Sequence, residues 1–196
     1  MEIRWLLRKL DLMNKIFLLL LFTTFNLVSQ TYLTRTGSTE FKASVDAFEP
    51  IKASNNSTTV ILKTNSGNLA AQLFITAFKF KVALMQEHFN ENYMDTNEYP
   101  KAIFIGNLNN FNLSKISEVK QYSLSGKLMI RGIEKEISTI ANVNLDDEKI
   151  IISTTFSVSP QDFNIKTINL FGSVIYLAII FAVGVVIVSA PSAAIA

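Results

Sequence analysis

Gln121-Tyr122-Ser123-Leu124-Ser125-Gly126-Lys127-Leu128-Met129-Ile130-Arg131-Gly132 decides the fold class, because its apolar residues recur at every second position. Tyr122, Leu124, Gly126, Leu128, Ile130 and Gly132 share one parity. Gln121, Ser123, Ser125, Lys127 and Arg131 take the other, with Met129 the exception. Successive side chains of a strand point to opposite faces, so this spacing predicts a strand with one dry and one wet face. Downstream, Ile137, Thr139, Ala141, Val143 and Leu145 repeat the rhythm, with Ile140 out of step. Asp146-Asp147-Glu148 follows as a charged connection; it lacks the spaced oxygen ligands and glycine of a calcium loop and reads as a solvated turn. Ile150, Ile152, Thr154, Phe156 and Val158 then resume the alternation. Three such runs at close spacing predict an antiparallel meander.

Upstream, Phe41, Ala43 and Val45 alternate with Lys42 and Ser44, and Phe78 to Val82 alternate as well. Val60 to Leu62 and Leu69 to Ile75 flank Asn65-Ser66-Gly67-Asn68, a hairpin signal because Gly and Asn tolerate positive φ. One stretch breaks the rhythm: Leu84, Met85, His88, Phe89 and Asn92 fall at helical spacing, which predicts a short helix near 82–94. Tyr99-Pro100 reopens a strand through Phe104, with Gly106 read as a bulge or bend. Many short antiparallel strands with one apolar face predict a mostly-β chain closed into a barrel of about eight strands, since closure removes exposed edges.

The two ends read differently from this middle. Hydrophobic residues make up 49% of the 196 and charged ones 17%, and the mean hydropathy of +0.30 is high for an ordinary soluble domain. Met13-Asn14-Lys15 feeds the apolar run Ile16 to Phe22, and Ser29 is a small residue suited to cleavage. Residues 1–29 are therefore expected to be a secretory signal peptide, with Met13 the better initiator. That segment holds four of the 18 basic and two of the 16 acidic residues, so 14 of each remain and the rest of the chain is neutral. A neutral domain without a basic stripe argues against a nucleic-acid partner. After Lys166 no charged residue occurs, and Leu170 to Val188 is almost wholly apolar. This tail, 167–196, has two readings, a transmembrane anchor or a buried closing strand, and composition alone does not separate them.

Catalytic and metal chemistry find little support. There are no cysteines and a single histidine, His88, beside Glu87 and three residues before Glu91. Zinc takes three or four ligands, so a lone histidine reads better as a residue hydrogen-bonded within the fold. Asn55-Asn56-Ser57-Thr58 and Asn112-Leu113-Ser114 match glycosylation sequons. No Ser/His/Asp set, phosphate-binding glycine loop or carboxylate pair stands out. The 15 phenylalanines do stand out. A barrel of eight strands leaves an interior just wide enough for side chains or one slim ligand. Each methylene-sized group buried there gains about 0.8 kcal/mol, so ten contribute roughly 8 kcal/mol before association costs. Parity and helical spacing nominate Phe78, Phe80, Leu84, Met85, Phe89, Phe104, Leu128, Ile130, Phe156 and Val158 as the residues facing such a guest.

Leu84-Met85-Gln86-Glu87-His88-Phe89-Asn90-Glu91-Asn92-Tyr93-Met94 resembles the YceI-like lipid/polyisoprenoid-binding family, in particular its Bacteroidetes-type members. Tyr99-Pro100-Lys101-Ala102, Tyr122 to Leu128, Asp162-Phe163-Asn164-Ile165-Lys166 and the opening Thr34-Arg35-Thr36-Gly37 are similar to that family too, so the resemblance spans roughly 31–166 within a domain of 30–166. It implies a lipocalin-like extended barrel, a periplasmic or cell-envelope location and an isoprenoid or quinone-type lipid held inside without catalysis. Two departures matter. Where the family has His-Gly near the end of the Gly126 strand, this chain has Arg131-Gly132. Where the family continues with a charged linker and a closing strand, this chain has its uncharged tail, which under the resemblance supplies the last strand, anchors the domain in a membrane or reflects a disrupted reading frame. The competing expectation is a tail-anchored envelope or stress-response protein whose core is filled by its own phenylalanines.

Overall fold

The computed structural model describes residues 13–15, 31–43, 51–116, 119–146, 149–166 and 182–189. Nine strands follow one another: β1 (Thr31–Ala43), β2 (Ile51–Lys63), β3 (Asn68–Phe74), the two-residue β4 (Lys79–Phe80), β5 (Lys101–Leu108), β6 (Lys120–Ile130), β7 (Ile133–Asp146), β8 (Lys149–Thr154) and β9 (Ala182–Ser189). Every pairing is antiparallel, and β1 pairs with both β2 and β9. The order β1-β9-β8-β7-β6-β5-β3-β2 therefore returns to β1, and eight strands form a ring without an open edge. β4 takes over from β3 along the first residues of β2, where Phe80 sits opposite Ala53.

The two-residue rhythm builds the core as expected. Tyr122, Leu124, Leu128 and Ile130 of β6 are buried, as are Ala141 and Val143 of β7 and Ile150, Ile152 and Thr154 of β8. Ile140, out of step in sequence, is exposed; Leu145, in step, is exposed too, because it lies one residue from the end of β7. β2 and β3 join through the predicted hairpin turn, in which the Gly67 N–H donates to Lys63 O at 2.9 Å. The Asp146 turn also lies where expected, with Asp146 opposite Lys149, although 147–148 fall outside the described residues.

Simple alternation fails in β1 and β2. Their register shifts between Thr34 and Gly37 and again between Gly37 and Thr39. The first shift puts an extra residue in β1 and the second puts one in β2, so each strand changes which parity faces inward. Side chains take up the backbone donors displaced there: Thr34 Oγ1 accepts from the Thr36 N–H at 3.2 Å, and Asn55 Oδ1 from the Ser57 N–H at 2.9 Å. Asn55 is fully buried and donates to Phe74 O at 2.9 Å, which makes its sequon unavailable to a glycan in the folded protein. Gly106 differs from expectation as well. The β5–β6 register runs unbroken through the Gly106–Gly126 pair, so it is no bulge.

The helix near 82–94 is an α-helix, α1 (Ala83–His88), continued by a π-helical turn (Phe89–Tyr93). Arg131 pins this segment to the barrel. With Gly132 it forms the two-residue β6–β7 turn, both residues at positive φ, which fits the twist of the flanking strands. Its Nη1 donates to Tyr93 O at 2.7 Å, and its guanidinium lies 5.8 Å from the centroid of the Tyr99 ring. Arg131→Ala is expected to cost about 1.5–3 kcal/mol, the range for a hydrogen bond to a charged group. Amide exchange should rise first over 83–99; unchanged exchange there would refute the tether.

The apolar tail contributes β9, which lies between β8 and β1. Residues 167–181, which the anchor reading would need, lie outside the described residues, as does the expected signal peptide apart from 13–15. Among the described residues no helix is long and apolar enough to cross a membrane.

Candidate lipid-binding interior

The barrel interior holds a narrow apolar slot walled by Val60, Leu69, Leu73, Phe104, Leu128 and Ile152. Thr39, Thr58 and Thr154 put hydroxyl-bearing residues on one side of it, and among the described residues no ionisable one lines it. The space free of atoms is about 610 Å³ including the part open to solvent, but the centre of a water-sized sphere sweeps only about 50 Å³. Ligand pockets are typically about 300–1,000 Å³, so a long guest has to displace side chains to enter.

Phe104 is the side chain most exposed to that demand. Its ring lies over the paired Gly106 and Gly126: a Cβ on Gly106 would meet the ring at 2.7 Å, and one on Gly126 at 2.8 Å. Two facing glycines thus make a shallow recess in the wall, and the ring rests in it. The slot keeps its width because of this recess.

The ten predicted residues divide four ways. Phe104, Leu128 and Phe156 line the slot. Phe78, Phe80 and Phe89 instead gather with Phe41 at the helix-bearing end, with centroids 5.2 Å apart for Phe41–Phe89, 4.9 Å for Phe80–Phe89 and 5.8 Å for Phe78–Phe89. Such ring pairs are worth about 0.5–1.5 kcal/mol each beyond their burial, so the cluster is a fastening for that end. Ile130 and Val158 are buried in the core without lining the slot. Leu84 and Met85 are 57% and 43% exposed, which corrects their assignment to the interior. The helix turns Phe89 inward, and Leu84 and Met85 are left on its outer side; helical spacing identified the segment but not the depth at which it docks. His88 is exposed in the last turn of α1 rather than held within the fold. Among the described residues no three of His, Asp and Glu come together.

Thr39 and Thr58 were missed by alternation because the paired bulges of β1 and β2 aim them inward. Ala71 and Ala102 were legible, since they share parity with Leu69, Leu73 and Phe104, but small residues carry little weight in a hydrophobic pattern.

A YceI-like domain profile matches residues 23–186. The chain belongs to the YceI-like family. Its fold is similar to a polyisoprenoid binding domain from Saccharophagus degradans implicated in plant cell wall breakdown, with a TM-score of 0.67 at 17% identity over 83% of this chain and 99% of that one. It is also similar to BcnA of Burkholderia cenocepacia, with a TM-score of 0.55 at 16% identity over 66% of this chain and 82% of that one. No curated protein matches it. Within this YceI-like barrel, the Arg131-Gly132 pair is a structural turn, and the arginine fastens the helical segment and is not among the residues lining the slot.

Proposed function

We propose that this protein is an exported, non-catalytic carrier or sequestering protein of the periplasm or cell envelope that holds a long apolar lipid, of isoprenoid or quinone type, inside its barrel. The observation that carries the reading is the uncharged slot at the centre of a closed ring of strands. Its described walls offer an acyl or prenyl chain dispersion and burial. Family membership and the likeness to a polyisoprenoid binding domain support the same ligand class. The signal-peptide layout of residues 1–29 supports export. Protein purified natively is expected to release a prenyl or quinone-type lipid into organic solvent at a substantial fraction of one per protein, detected by mass spectrometry. A lipid-free extract from well-folded protein would sink the reading.

The small free volume favours a second reading, an envelope structural or stress-response protein whose core is complete without a guest. It requires that well-folded protein yield no lipid on extraction.

A further inference from the structure

Among the described residues the slot has one donor left over. The Thr39 and Thr58 hydroxyls are 2.7 Å apart, and the residues are 1% and 2% exposed. Two hydroxyls carry two protons, and their mutual hydrogen bond uses one. Among the described residues neither side chain has another hydrogen-bond partner. Thr154, across β9 from Thr39, is not the missing acceptor's counterpart in need: its hydroxyl already donates to Ile140 O at 2.8 Å. A buried hydroxyl proton without an acceptor is costly, and here it sits in the wall of an apolar slot. The placement is also built: only the compensating bulges of β1 and β2 bring both threonines to the inner face.

We infer that the Thr39–Thr58 pair is a polar subsite that donates a hydrogen bond to an uncharged oxygen acceptor of the bound lipid. This deepens the lipid-holding reading and rests on it. The class is thereby narrowed to long apolar lipids whose buried part bears a ketone, a quinone carbonyl, an ether or a hydroxyl. A charged head does not fit at this point, because no cation among the described residues lines the slot to offset burial of an anion. A lipid with a phosphate would have to keep it outside.

The test uses the full chain and two probes, farnesylacetone, a C18 isoprenoid ketone, and the same chain with the carbonyl replaced by a methylene. In the unaltered protein the carbonyl stretch of the bound ketone should be shifted to lower frequency than in hexane. Thr39→Val with Thr58→Val, which keeps shape and removes both hydroxyls, should abolish that shift. The same variant should weaken ketone binding about five- to tenfold, the worth of one neutral hydrogen bond or slightly more. Hydrocarbon binding should stay within about twofold, and Thr39→Ser with Thr58→Ser should preserve the shift. A hexane-like stretch for ketone bound to the unaltered protein overturns the subsite without needing any variant to fold. So does equal weakening of both probes. If neither probe binds the unaltered protein, the lipid-holding reading itself falls and the subsite with it.

Discussion

Ala71→Leu is expected to strip the protein of its lipid while leaving the barrel folded. Ala71 lines the slot directly opposite Phe104 in the β3–β5 ladder, between the buried Leu69 and Leu73 on the same face. Leucine there projects three further carbons into the space a guest would occupy. In the empty protein those carbons fall largely into void, so the melting temperature should change by no more than a few degrees. In the loaded protein they collide with the lipid, and overpacking of about 1–3 kcal/mol corresponds to roughly a five- to 150-fold loss of affinity. The measurement is lipid recovered per mole of protein, beside the melting temperature of the same sample. Unchanged lipid content would show that the guest lies elsewhere. A large fall in melting temperature with no lipid in either protein would mean that the interior is already full. A charge at Phe104 is a poorer test, because an unpaired buried carboxylate would unfold the barrel by itself.

What the sequence made legible is what depends on strict period two. The inner faces of β6, β7 and β8, the β2–β3 turn and the helical interruption all followed from spacing, because those strands pair without register shifts at the positions that mattered. Two kinds of feature did not follow. Bulges exchange the inner and outer parities, and nothing in Thr34 to Thr39 or Asn55 to Thr58 marks where a strand will gain a residue, so the threonine side of the slot stayed hidden. Continuous apolar runs carry no period at all. Ala182–Ser189 read equally well as helix or buried strand, and only pairing with two neighbours distinguishes them. The aromatic cluster shows a third limit. Phe41, Phe78, Phe80 and Phe89 were recognisable as inward-facing, but whether a ring lines a slot or plugs one end depends on its height along the barrel. Parity does not encode height.

Gly106→Ala and Gly126→Ala are both expected to destabilise the barrel, and in ways that Phe104 should tell apart. At Gly126 an added Cβ would collide with Ile105 O and lie 2.5 Å from the Gly106 Cα, both backbone atoms of β5, and 2.8 Å from the Phe104 ring. Relief requires the two strands to separate, so the cost belongs at or above the upper end of the usual overpacking range, about 3 kcal/mol. For a chain of this size that is roughly 6–12 °C in melting temperature. At Gly106 one close atom is backbone, Ser125 O at 2.5 Å, while two belong to the Phe104 ring at 2.7 Å. Much of that strain can be released by moving the ring. A smaller side chain, Phe104→Leu, should therefore rescue part of Gly106→Ala, giving a favourable coupling of about 0.5 kcal/mol or more in a double-mutant cycle. It should rescue Gly126→Ala less, since the backbone contacts remain. Where the ring is pushed off its recess it can go only into the slot, so Gly106→Ala should also lower lipid recovery even at temperatures where the barrel is fully folded. Strict additivity of Gly106→Ala with Phe104→Leu would mean that the ring does not rest on the glycine pair, and the slot's width would then need another cause.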